Sequence, residues 1–234
     1  MFTMNKFWER FFHLLTYIAQ GSSYLNPRGY ALLHRQHHAY SDTPRDPHTP
    51  TMYGNVFTMM WDTKKRYQDI CERTVAVEGA FTKEKYPEWP LLDKIGFNRL
   101  SSVLWVAFYV TFYAVFATAW WQWLLLPAQI LMGPIHGAIV NWCGHKYGYR
   151  NFNVSDKSRN TLPFDFVTFG ELFQNNHHRF GLDPNFAKRW FEIDPTYQII
   201  KVLSALRIVK LAPKKQNEVE EIRVAIPFAE AKEA

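Results

Sequence analysis

The chain has 234 residues, a formal net charge of +6 and two cysteines. This length suits one sizeable domain, and two cysteines exclude a disulfide-built scaffold or a cysteine-rich zinc module. The basic residues are dispersed and no nucleic-acid fold signature accompanies them, so nucleic acid is not a predicted partner. Aromatic residues make up 17% of the chain, which is typical of proteins at a boundary between lipid and water.

The first third of the chain predicts three helices separated by polar turns. Apolar residues recur at helical spacing over residues 4–20, which predicts a helix that lies in the membrane interface or packs against a partner. Residues 21–29 contain Gly, Ser, Asn and Pro and predict a loop. Further helices are expected over residues 30–40 and 56–71, with a proline-rich break between them.

The middle of the chain contains a long segment without charge. From Leu100 to His145 there is no Asp, Glu, Lys or Arg, and a membrane span needs roughly 20 apolar residues. The segment therefore predicts a transmembrane hairpin over about residues 100–142, with its turn in AWWQWLLLP and Pro127 opening the second helix. A pair of long buried helices in a soluble core is the alternative.

Basic residues flank both ends of this predicted hairpin. Lys94 and Arg99 precede it, and Lys146 and Arg150 follow it. By the positive-inside rule both ends face the cytoplasm, and the basic flanks suit anionic lipid head groups or a charged carrier such as coenzyme A.

The last third of the chain begins with a polar, turn-rich stretch. Residues 162–181 then predict one continuous helix, and a further helix starts at Asp194, which caps it, with Pro195 at its first position. We expect a single domain over residues 1–215 and a charged, loosely ordered tail over residues 216–234.

Six of the nine histidines fall in three short segments. HRQHH places His34, His37 and His38 at i, i+3 and i+4, which lie on one face of a helix. FQNNHH repeats that spacing with Gln174, His177 and His178, and NWCGH contributes Asn141 and His145 at i and i+4. Imidazole suits iron, copper and zinc, so these segments together predict a metal site.

Two other interpretations of these patterns compete with an oxygen-activating metal site. A single HxxHH on a helix is often only a polar surface patch. Zinc hydrolysis is the chemical competitor, but it wants an HExxH-type base, and Arg35, Gln36, Asn175 and Asn176 supply no carboxylate between the histidines.

The same segments resemble those of membrane fatty acid desaturases of the stearoyl-CoA type, in their bacterial form. HRQHH resembles the second histidine box, NWCGHKYG the Asn-x-x-x-His element at the end of the fourth transmembrane helix, and GELFQNNHH the third box. DPHTP, SRN and EIDPTY also lie where that family has similar stretches, so the resemblance covers nearly the whole chain.

The resemblance implies an all-α integral membrane protein with a cytoplasmic helical cap that carries a di-iron site. It also implies O₂-dependent desaturation of a fatty acyl chain held as acyl-CoA or phospholipid, with electrons from cytochrome b5, ferredoxin or a similar carrier. The iron ligands that the resemblance implies are His34, His37, His38, His145, His177 and His178, with Asn141 acting through a water.

The chain departs from the family pattern in two places. The family has a first box, HxxxxH, ahead of the stretch that MFTMNKFWE resembles, so we expect a fragment, a misassigned start or a degenerate homologue. Gln174 replaces the first histidine of the third box. Front-end desaturases in the wider superfamily have Gln at this place, and its amide can either bind iron or orient His178 through a hydrogen bond.

Four further residues are candidates for substrate binding. His136 lies within the second predicted span, where an ionisable group indicates a tunnel lining or a hydrogen bond inside the bundle. Lys188, Arg189 and Trp190 form a candidate head-group contact. His48 either positions a ligand or shapes its loop, and His13 is expected to be structural. A hydroxylase on the same di-iron scaffold and an inactive truncated homologue remain the alternative functions.

Overall fold

The computed structural model describes residues 1–83 and 86–212, so the predicted charged tail lies outside the described residues. The described part is mostly helical. The helices are α1 (Lys6–Gln20), α2 (Pro27–Tyr40), α3 (Val56–Glu72), α4 (Gly79–Thr82), α5 (Pro90–Gly96), α6 (Arg99–Phe116), α7 (Leu125–Ile130), α8 (Met132–Ala138), α9 (Gly144–Lys146), α10 (Gln174–Arg179) and α11 (Pro195–Ala205).

Helix α2, which carries the first histidine pattern, begins three residues before its predicted start. The side chain of Asn26 caps it by accepting a 2.8 Å hydrogen bond from the Gly29 amide, and Pro27 occupies the first turn. The buried face of α2, with Leu32 and Leu33, packs on α3 and α4. This packing leaves the opposite face of α2, with its histidines, directed at the rest of the chain.

The long uncharged segment contains one helix, α6, that is long and apolar enough to cross a membrane, and up to two if a bent pair counts as one span. Only 6% of the apolar window in α6 is buried inside the protein, which disfavours the alternative of a soluble core. The second predicted span is not a straight helix. Trp120–Ile130 and Met132–Lys146 meet at 71°.

Pro134 explains the bend. It has no N–H to give to the Ile130 carbonyl four residues earlier, so the helical hydrogen bond cannot form there. The hydroxyl groups of Ser22 and Ser23 donate to that carbonyl instead, at 3.0 and 2.7 Å. After α8, a π-helical turn over Ile139–Cys143 leads into α9.

The single helix predicted over residues 162–181 was wrong. Only its end, α10, is helical, because the buried Asp165 carboxylate holds the preceding segment in a loop. Asp165 accepts hydrogen bonds from the backbone amides of Thr168, Gly170 and Leu172 at 2.8, 3.0 and 2.9 Å. Phe169 and Gly170 have φ values of 56° and 101°, which no right-handed helix contains.

The C-terminal part of the described chain adds a small sheet to the predicted all-α fold. Asp194 caps α11 as predicted, by accepting from the Tyr197 amide at 2.9 Å. The chain then turns at Arg207, which has φ 58°, and forms strand β2 (Val209–Leu211) antiparallel to strand β1 (Phe2–Met4). This pairing joins the two ends of the described chain.

We predict that Asp165→Ala lowers the free energy of unfolding by roughly 2 to 4 kcal/mol, because it leaves several buried amides without an acceptor. Asp62→Ala is the matched control, since the side chain of Asp62 is 45% exposed and lies 3.6 Å from Lys65. Thermal unfolding in detergent measures both. Equal losses of stability in the two variants would contradict this role for Asp165.

Candidate metal centre

Six histidines from three separate segments converge in two groups of three. The first histidine group contains His34 and His38 of α2 and His177 of α10. Its three Nε2 atoms lie 3.0 Å (His38 to His34), 2.9 Å (His38 to His177) and 3.1 Å (His34 to His177) apart. The i, i+4 spacing of α2 delivers two of these atoms, and α10 supplies the third.

The second histidine group lies beside the first and contains His37, His145 and His178, all of them buried. The Nε2 atoms of His37 and His178 are 3.2 Å apart. The Nε2 atom of His145 is buried and has no hydrogen-bond partner among the described residues. Each of the three segments thus contributes to the second group, whereas α9 contributes nothing to the first.

A buried carboxylate faces the other ring nitrogen of every member of the second group. The Nδ1 atoms of His37, His145 and His178 lie 2.9, 3.0 and 3.1 Å from carboxylate oxygens of three aspartates: Asp46, Asp42 and Asp156 respectively. A carboxylate accepts, so each Nδ1 carries the ring hydrogen and each Nε2 presents a lone pair. Three lone pairs therefore point into one small buried space.

Burial keeps five of these histidines neutral. Desolvation lowers the pKa of His34 from 6.5 to about 4 and lowers the pKa of His37 and of His38 well below the usual range. It also lowers the pKa of His177 and His178, and neighbouring histidines add to the effect. Neutral imidazole is the form that binds metal ions.

Two features of the histidine nitrogens fit a bound metal ion. Lone pairs that converge without a hydrogen atom between them repel one another unless a cation lies among them. The Nε2 atom of His145, which has no hydrogen-bond partner among the described residues, belongs to such a set. A metal that binds nitrogens at about 2.1 Å and at right angles separates them by about 3.0 Å, whereas a tetrahedral ion separates them by about 3.4 Å. The Nε2–Nε2 distances of the first group, 2.9 to 3.1 Å, match the right-angled arrangement.

The loop after α2 supplies two of the three carboxylates. Asp42 has φ 61°, and this left-handed residue turns the chain so that residues 42–48 fold back over the histidine face of α2. Asp46 accepts from the amides of Asp42 and His48 at 2.7 and 3.0 Å, which fixes its carboxylate. The loop therefore holds Asp42 and Asp46 against histidines of the second group.

Two other predicted site residues have partners that bear on their roles. Gln174 is buried against Gly144 and donates Nε2–H to the Glu171 carbonyl at 2.6 Å. Asp156 lies 3.1 Å from Nδ1 of His178, and the two alternative roles of Gln174, iron ligand or orienting hydrogen bond, stay predictions. Asn141 lies in the π-helical turn and donates to the Gly137 carbonyl at 2.9 Å.

The candidate substrate contacts lie outside the two histidine groups. His136 is exposed on α8, near the backbone of Thr168. Lys188 forms an ion pair with Asp183 at 2.8 Å, and Arg189 donates to the Asn151 side chain at 3.1 Å. Trp190 is 94% exposed. The head-group role of these residues stays a prediction.

Sequence reasoning missed the three aspartates and Glu192, and it left the role of His48 open. His48 is buried, its ring centroid lies 4.3 Å from that of His37, and neither of its nitrogens has a partner among the described residues. The available signal was the concentration of acidic residues in SDTPRDPH, directly after a histidine pattern. Asp156 had no such signal, because 22 residues separate it from His178.

Glu192 fixes the position of α10 through hydrogen bonds. Its buried carboxylate accepts from the side chains of Asn176 and Asn151 at 2.9 and 2.6 Å, and from the Lys188 and Arg189 amides at 2.6 and 2.9 Å. Two asparagines of FQNNHH thus serve as anchors, since Asn175 similarly accepts from the amides of residues 151 and 152.

The sequence of the chain is similar to those of several known proteins. The chain is 28% identical over 217 residues to a Delta-9 desaturase-like 5 protein of Arabidopsis thaliana, covering 87% of this chain and 67% of the relative. It is 28% identical over 205 residues to an acyl-CoA C20 Delta5-desaturase of Anemone leveillei (88% and 62%). It is 29% identical over 197 residues to an sn-1 stearoyl-lipid 9-desaturase of Anabaena variabilis (78% and 65%).

The chain spans roughly two thirds of the length of these relatives, as the 67%, 62% and 65% coverages state. The family model for fatty acid desaturase matches residues 1–207. With nearly nine tenths of its length matched in this way, the chain belongs to the fatty acid desaturase family.

Proposed function

We propose that this chain is an O₂-dependent fatty acyl desaturase that works with two iron ions, one at each histidine group. The observation that carries the proposal is the convergence of six imidazoles in two sets of three, with four of the six buried. Such a nitrogen-only set leaves coordination positions of each ion open to small ligands. The proposed iron ligands are His34, His38 and His177 for one ion, and His37, His145 and His178 for the other.

When bound, the iron ions supply the oxygen activation that breaking an unactivated aliphatic C–H bond requires. The residues of the chain do the rest. The six histidines would hold one ion at each group, and the three aspartates fix the ring orientation of the second group. Asn141 is proposed to reach an ion through a water, and the amide oxygen of Gln174 is a possible further ligand.

The surroundings of the histidines disfavour zinc hydrolysis. A zinc peptidase needs a carboxylate beside the metal-bound water as a general base. Here Asp42, Asp46 and Asp156 accept hydrogen bonds from the Nδ1 atoms of the second histidine group and orient these rings. In the first group, the Nε2 separations of 2.9 to 3.1 Å also suit ligands at right angles better than a tetrahedron.

The proposed setting is a membrane protein of one domain over residues 1–215. Helix α6 and the bent pair after it form the transmembrane hairpin, and α2, α3 and α10 form a cytoplasmic cap. Exposed apolar side chains on α6, among them Leu104, Phe108 and Phe112, support contact with lipid. The basic flanks of the segment support the cytoplasmic orientation of the cap.

The proposed substrate is a saturated acyl chain carried by coenzyme A or by a phospholipid, since the relatives named above include acyl-CoA and stearoyl-lipid desaturases. Electrons are proposed to come from cytochrome b5, ferredoxin or a similar carrier. Hydroxylation on the same scaffold is the alternative reaction, and the names of the relatives favour desaturation.

We expect the purified chain, reconstituted anaerobically with ferrous iron, to bind two ions, and His38→Ala to bind about one fewer because it removes a donor from the first group. Elemental analysis measures the count. His136→Ala is the matched control, since it changes a histidine outside both groups, and its iron content should equal that of the wild type. An iron-free wild-type chain would support the inactive alternative instead.

Product analysis separates the two candidate reactions. The protein in lipid vesicles, given iron, O₂, a reductant and stearoyl-CoA or a stearoyl phospholipid, is expected to yield a monounsaturated chain that has lost two hydrogens. Mass spectrometry of the released fatty acid distinguishes this product from a hydroxylated chain, which gains one oxygen. A hydroxylated product as the main species would overturn desaturation.

The metal-free protein is expected to lose stability as the pH falls from 6.5 towards 4. In that window the unfolded chain protonates His34, whereas the folded chain, whose His34 pKa is about 4, does not. The unfolded state therefore binds more protons, and stability rises with pH. Unfolding temperatures at pH 5 and pH 7 test this. His34→Asn should reduce the difference, and an unchanged difference would contradict the assignment.

A further inference from the structure

The two histidine groups differ in what surrounds them. Every histidine of the second group donates its Nδ1–H to a buried aspartate, at 2.9 to 3.1 Å. Among the residues that the structure describes, no carboxylate is hydrogen-bonded to a histidine of the first group. The Nδ1 atom of His177 is buried without a partner, and its ring packs on Phe186 at a centroid distance of 4.2 Å.

The three aspartates are themselves fixed in position. Asp42 accepts from the hydroxyl of Thr49 at 2.5 Å and from the Lys157 amide at 2.6 Å. Asp156 accepts from the amide and the hydroxyl of Ser158, at 3.0 and 2.5 Å. Both are nearly inaccessible to solvent, with side chains 6% and 1% exposed. Their negative charges are therefore held at constant distance from the second group and poorly screened.

This asymmetry has a direct consequence for metal affinity. A carboxylate on the outer nitrogen of an imidazole raises the basicity of the inner nitrogen and fixes the ring, and its removal typically costs 10- to 100-fold in affinity. Up to three negative charges around a dication add electrostatic attraction in a medium of low dielectric constant. Among the described residues, no carboxylate is hydrogen-bonded to a histidine of the first group, and the three aspartates lie against the second group.

Resting on the proposed di-iron function, we propose that the two metal sites are unequal. The second group, backed by Asp42, Asp46 and Asp156, is the tight site that retains its ion, and the first group is the labile site that exchanges it. The three aspartates are positioning residues, because they act on the metal through the histidines.

The structure provides an isosteric test of the positioning role. In Asp156→Asn the side-chain amide can rotate to donate its N–H to Nδ1 of His178, which moves the ring hydrogen to Nε2 and removes the inward lone pair. Asp42→Asn does the same at His145. Asp62→Asn is the matched control, because Asp62 is exposed and lies outside the described metal centre.

The experiment loads each purified full chain anaerobically with ferrous iron and follows release to a colorimetric chelator. The wild type is expected to release its two ions in two phases of unequal rate. His177→Ala should abolish the fast phase and His145→Ala the slow one. Asp156→Asn and Asp42→Asn should lower the affinity of the slowly released ion about 10- to 100-fold and leave the fast phase unchanged, while Asp62→Asn leaves both unchanged.

Unfolding temperatures of the metal-free variants show whether each one folds, so that a general loss of structure is not mistaken for a local effect. Two ions released at one rate, or an equal change in both phases for Asp156→Asn, would falsify the asymmetry while leaving the proposed function intact. A wild-type chain that binds no iron overturns both proposals.

Discussion

The structure depends on one electrostatic constraint, which is that imidazole nitrogens of six histidines meet in two adjacent groups. In the second group, three lone pairs face one another because carboxylates hold the hydrogens on the opposite side of each ring. Such an arrangement is unfavourable unless a cation lies between the lone pairs. Much of the surrounding structure exists to hold the rings in this position against their mutual repulsion.

The local structure around the site follows from that requirement. Helix α2 is fixed from behind by apolar packing of Leu32 and Leu33, so its histidine face cannot rotate away. The short α10 lacks a comparable apolar support, and its position depends on hydrogen bonds instead. Asn175 and Asn176 lie fully buried between the two histidines and the loops at residues 151 and 192. The histidines of the two helices are thus held by different kinds of force.

The sequence was informative wherever structure depended on local spacing. The histidine faces, the Asp194 cap and the extent of α3 all follow from residues within one or two turns of one another. Distant partners were not accessible in this way. Asp156 and Glu192 meet their partners only after folding, and Asp165 overrode an apolar pattern that predicted one long helix, because its hydrogen bonds stabilise a loop.

The bend between Trp120–Ile130 and Met132–Lys146 also depends on residues that are distant in the sequence. Pro134 was visible in the sequence, but its effect required an alternative donor for the Ile130 carbonyl, and Ser22 and Ser23 lie more than 100 residues earlier. A proline in an apolar segment is tolerated where such a donor exists. The β1–β2 pairing, which joins the two ends of the described chain, was likewise invisible to local spacing.

The buried carboxylate of Glu192 has a consequence for the order in which the protein matures. HRQHH leaves the ribosome before residues 151–192 do, but His177 and His178 are held in place only once Asn151, Asn176 and Glu192 have met. A nascent chain that ends before Glu192 therefore has the histidines of α2 without fixed partners on α10. Both histidine groups are complete only after synthesis has passed Glu192.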